Sequence, residues 1–131
     1  MKKKAGNFLM ALSMLGLLAS CAQMAPFEAR NADTRRVAEN ARTYSDHDTV
    51  ARQYEITAKA LLAEVEKQKK LLEHYEDKSY LYGKRAQDMR SHTWALLRKY
   101  ERAAEETVKQ AAFHQKISSE LARNDYVKRV N

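Results

Sequence analysis

Apolar and small side chains recur at alternating steps of four and three residues along one stretch: His47, Ala51, Tyr54, Ala58, Leu61, Val65, Gln68, Leu72 and Tyr75. A second stretch repeats the rhythm: Met89, Thr93, Leu96, Tyr100, Ala103, Thr107, Gln110, His114, Ile117 and Leu121. A mean step of 3.5 is the signature of helices that meet along a seam. Residues 76–84 interrupt it, with polar Asp77, Ser79 and Lys84 beside Gly83. That interruption predicts a turn near 78–84. Two long helices joined by so short a connection must be antiparallel neighbours. The expected fold class is therefore all-α: a long, coiled-coil-like antiparallel helical hairpin over residues 46–123.

Local signals set the expected ends. Ser45 with Asp48 three residues on approximates a capping box, and Asp46 and Asp48 suit the positive end of a helix dipole. Acid-to-base pairs four apart, Asp48–Arg52, Glu55–Lys59 and Glu66–Lys70, support the first helix. Residues 22–45 hold the only proline, Pro26, and Phe27 and Val37 are nearly the only large apolar residues there. A helix there lacks apolar surface to stand alone, so the expectation is a tether of 21–45, reaching about 80 Å when extended. The polar residues 124–131 are expected to fray. One pair of helices has a thin core, and apolar groups such as Ile56, Trp94 and Leu97 lie off the seam. A second copy completing a four-helix bundle is the economical solution. Trp94, flanked by Arg90 and Arg98, is a candidate contact or cation–π partner, and Tyr80 and Tyr82 at the turn are candidate contacts for a partner.

The first twenty residues follow a different logic. Met1-Lys2-Lys3-Lys4 is basic, and residues 8–18 are an apolar run of about eleven, where a membrane span needs roughly 20. Small residues and then a cysteine follow. This is the three-part build of a secretory signal peptide. Leu18-Ala19-Ser20-Cys21 resembles the bacterial lipobox. The resemblance implies cleavage between Ser20 and Cys21, lipidation of the Cys21 thiol, and acylation of the new amino terminus. Each buried methylene contributes about 0.8 kcal/mol, so two or three chains make a firm anchor. Cys21 is the only cysteine, which leaves an exported chain with no disulfide and no spare thiol. Ala22 stands at the following position, where aspartate resembles an inner-membrane retention signal. In a diderm source this favours the outer membrane, facing the periplasm.

Charge changes with that reading. Loss of residues 1–20 takes three of the 24 lysines and arginines and none of the 17 acids, so the formal charge falls from +7 to +4 over 111 residues. Much of the basic excess is targeting charge, and a nucleic-acid partner is not expected. No phosphate-cradling glycine loop and no nucleophile motif is present, and a bare two-helix rod offers no pocket, so no enzyme is expected.

A further pattern, Asp46-His47-x3-Ala51-x2-Tyr54-Glu55, resembles one that recurs in small, uncharacterised bacterial envelope proteins with two long helices. Those proteins carry a histidine near the start of the second helix and another in an Ala-x2-His context, matched here by His92 and His114. Some relatives have cysteine directly after the former, where this chain has Thr93. With the turn centred near residue 82, His47 falls three residues from a position opposite His114, and His74 and His92 form a second pair. Such pairs with Asp46 or Asp48 make candidate sites for Zn, Cu or Ni. Spacings typical of dedicated sites, such as His-x3-His or Glu-x2-His, are absent.

Three functional expectations follow. The first is a membrane-anchored envelope lipoprotein acting as a structural or interaction module, as a homodimer or with an envelope partner, and needing no cofactor. The alternative is a periplasmic metal-binding or metal-sensing hairpin. The third is a binder of anionic envelope polymer through Lys67, Lys69, Lys70, Arg85, Arg90 and Arg98.

Overall fold

A computed structural model describes residues 26–130. The signal segment, Cys21 and the first tether residues lie outside the described residues. Four helices follow in order: α1 (Pro26–Asn40), α2 (Tyr44–Asp77), the single turn α3 (Ser79–Tyr82) and α4 (Arg85–Val130). The fold is all-α, and α2 and α4 form the long antiparallel hairpin. At 1.5 Å per residue, the 34 residues of α2 make a rod of about 51 Å and the 46 of α4 one of about 69 Å.

The cap of α2 lies two residues earlier than Ser45. Thr43, with extended backbone at φ −105° and ψ 163°, accepts from the Asp46 amide, and the Asp46 carboxylate accepts from the Thr43 amide. Thr43-x-x-Asp46 and Ser45-x-x-Asp48 have the same spacing. The short 41–43 link after α1 brings Thr43 to the helix entrance, and Asp48 instead accepts from Arg52. Glu66 pairs with Lys69 rather than Lys70. The connection occupies 78–84 as expected. Gly83, at φ +53°, supplies the left-handed residue there and sits where an added Cβ would meet nothing.

The α2 seam is buried where the heptad pattern places it, at Ala51, Tyr54, Ala58, Leu61, Val65 and Gln68, with Val50 and Thr57 beside it. On α4 the buried line is Ala86, Thr93, Leu97, Ala104, Thr107, Ala111, His114 and Ser118. Thr93, Thr107 and His114 were expected. Between them burial shifts by one position, from Leu96, Ala103, Gln110 and Ile117 to Leu97, Ala104, Ala111 and Ser118, leaving the former half-buried.

The structure corrects the tether expectation. Residues 26–40 form α1, which lies along the hairpin. Phe27 packs on Tyr100 with ring centres 5.6 Å apart, Glu28 pairs with Lys99 at 2.9 Å, and Asn31 donates to Thr107 at 3.3 Å. At the other end Ala41 joins Val50, Tyr54 and Ala111 in the core, with Ala38 against them. Helix α1 thus packs chiefly along α2 and reaches α4 through these side chains. Because Tyr100 lies nearer the turn than Ala111, the amino end of α1 points toward the turn. Ser118 donates to the Tyr44 carbonyl at 2.9 Å, so α4 continues past the start of α2 as an overhang of residues 119–130, helical to Val130.

Candidate functional site

His47 and His114 meet directly. His47 stands in the first turns of α2 and His114 on the buried line of α4, and their Nδ1 atoms are 2.9 Å apart. The expected three-residue offset disappears because this contact and the Ser118–Tyr44 bond centre the hairpin near residue 81 rather than 82. The ring planes are within 24°, and the centres are 5.1 Å apart. That separation is the Nδ1–Nδ1 distance plus one ring radius on either side, so the imidazoles meet edge to edge in nearly one plane. One ring donates its Nδ1–H and the other accepts.

The α2 side of the pair is closed and apolar. His114 is 5% exposed, and Val50 and Ala51 beside the pair on α2 are fully buried. Tyr54 lies over the His114 ring at 5.9 Å and 24°, and Phe113 meets its edge at 5.3 Å. Burial, and secondly the neighbouring His47, hold the His114 imidazole below its ordinary range, which favours the neutral ring. Burial likewise pushes the Tyr54 phenol upward. One side of His114 opens on a hollow of about 640 Å³ bounded by Arg35 and Glu39 of α1 and by Glu106 and Gln110 of α4.

Neither expected carboxylate turns to the pair. The Asp46 side chain accepts from the Arg42 and Thr43 amides, bonds that hold its carboxyl below the usual range. Asp48 is engaged by Arg52. Among the described residues no three histidine, cysteine, aspartate or glutamate side chains gather where they could share a metal ion. A four-coordinate Zn or Ni centre lacks half its donors here.

The other expected residues are placed as follows. His74 does not pair with His92. Its Nε2 lies 2.9 Å from the Tyr82 hydroxyl, and Tyr75, Tyr82 and His74 pack ring against ring at the turn. His92 is exposed on α4. Tyr80 and Leu81 project from the tip at 73% and 65% exposure. Trp94 is exposed beside Leu72, Glu76 and Arg90, and Arg98 reaches Glu101. The cation–π contact among the described residues is Lys99 over Phe27. Of the basic residues considered for a polymer, Lys67, Lys69 and Arg98 are each paired with glutamate. The small side chains that seat α1, Ala38 and Ala41, were missed in the sequence, and the Thr43 cap was its one available sign. Comparison with family models, curated proteins and solved structures returns no match to this chain.

Proposed function

We propose that the chain is a lipid-anchored envelope protein whose helical rod acts as a structural or interaction module. The observation that carries the reading is Leu18-Ala19-Ser20-Cys21 behind a basic start and a short apolar run. Among the described residues no helix is long and apolar enough to cross a membrane, so attachment rests on Cys21.

The packing of α1 gives this reading a geometry. Only four residues lie between Cys21 and Pro26, so the five steps make a leash of at most about 17 Å rather than 80 Å. The amino end of α1, from which the leash starts, is directed toward the turn, whose tip carries Tyr80, Leu81, Lys78, Lys84 and Arg85. Aromatic and basic side chains of this kind suit the headgroup layer. Phe27 lies beside Tyr100, about 27 Å of helix from the turn, so a leash of about 17 Å leaves the tip about 10 Å beyond Cys21. A rod standing tip-first at the bilayer therefore sinks Tyr80 and Leu81 into the headgroup layer, and the open end with the α4 overhang faces away. Exposed Tyr126, Val127 and Val130 on that overhang, and Leu62 and Val108 in the groove opposite α1, are the surfaces available to a partner or a second copy.

Mass spectrometry of the protein from a bacterial host tests the anchor. The expected product begins at Cys21 and carries a diacylglyceryl thioether with an acylated amine, and Cys21→Ala abolishes both processing and lipid. Cleavage elsewhere, or an unmodified Cys21, refutes the reading.

A further inference from the structure

We infer that the His47–His114 pair is a site for a single soft monovalent d10 ion, Cu(I) in nature and Ag(I) as its redox-inert equivalent. The inference is independent of the lipid anchor. It starts from the direction of the two lone-pair axes. The rings are nearly coplanar and face each other through Nδ1, so an ion between them meets two nitrogens in a line. Metal–nitrogen bonds of about 2 Å would set the nitrogens about 4 Å apart, an opening of about 1 Å from the present contact. Half-buried His47, in the first turns of α2, is the ring free to yield.

Charge selects among ions. The self-energy of a buried ion grows with the square of its charge, so a divalent ion costs about four times a monovalent one here. No carboxylate joins the two rings as a ligand: Asp46 serves the helix cap, Asp48 serves Arg52, and Glu39 and Glu106 bound the hollow beside His114 without forming a ligand set with the pair. Zn and Ni also require donors that the described residues do not bring together. A two-coordinate ion with a filled d shell requires none. The hollow beside His114 is the entry path.

The test uses the full chain in detergent with Cys21→Ala, since a free thiol would capture either ion. Ag(I) is titrated into ¹⁵N-histidine-labelled protein, and Cu(I) is titrated anaerobically against a chromogenic chelator. One equivalent of each should bind, with silver–nitrogen coupling at Nδ1 of both His47 and His114. His47→Ala should weaken binding by at least the order of 100-fold at unchanged helix content, and His74→Ala should leave it intact. If His114→Ala unfolds the chain, His47→Ala and the coupling pattern still decide. Coupling at one ring only, coupling at Nε2, unchanged affinity in His47→Ala, or Zn(II) displacing Cu(I) at equal concentration would each overturn the inference.

Discussion

Leu61 is 1% exposed at the middle of the α2 seam, where it is the largest side chain closed to water. Leu61→Ala should cost about 3 kcal/mol, because the cavity adds to the lost transfer energy, and thermal denaturation will show it. Thr43→Ala should cost about 1 kcal/mol through loss of the α2 cap, whereas Ser45→Ala should change little. His114 adds a pH dependence. Its folded value lies below the ordinary 6.5, so the unfolded chain takes up a proton where the folded one does not. Its contribution is complete above about pH 6.5 and is lost as pH falls through the lowered value. Melting in chelator should therefore fall between pH 7.5 and 5, and His114→Leu should make that decline shallower. Asp46 acts in a separate window, since its stabilisation is lost only below the ordinary carboxylate value of 3.8. The His47–His114 pairing was legible from spacing alone. Their direct contact was not, because it depends on where within a seven-residue connection the chain reverses.

Among the elements, α2 was readable because α4 covers most of its buried stripe, and a heptad describes such a stripe; Val50 and Thr57, which flank the stripe, lie on the side that α1 covers. Helix α4 was half readable. It serves α2 with Leu97, Ala104 and Ala111 and α1 with Tyr100 and Gln110, and a single seam drawn through both sets runs between them. Helix α1 was hidden for a related reason. Val37, one of its two large apolar residues, is 47% exposed, while Thr34, Ala38 and Asn31 make the contact. Hydropathy does not register docking by small and polar groups. The same chemistry makes the attachment weak, and the Asn31 Oδ1 is buried without a hydrogen-bond partner among the described residues. Hydrogen exchange should show α1 amides exchanging at least about 10-fold faster than those of α2 residues 50–68. Equal protection would mean that α1 and the hairpin unfold as one unit.

For the whole molecule, the docked α1 replaces a long spacer by a short leash that leaves toward the turn. The hairpin itself followed from two heptad runs and one interruption, whereas the orientation required knowing which way α1 lies. The decisive measurement uses the lipidated protein in vesicles, with a fluorophore placed at residue 81 in one sample and at residue 127 in another, each read against a quencher in the acyl region. The two sites are separated by most of the α4 rod of about 69 Å. Strong quenching at 81 with none at 127 is the predicted result. Equal quenching at both sites, or stronger quenching at 127, would contradict a rod held tip-first at the membrane.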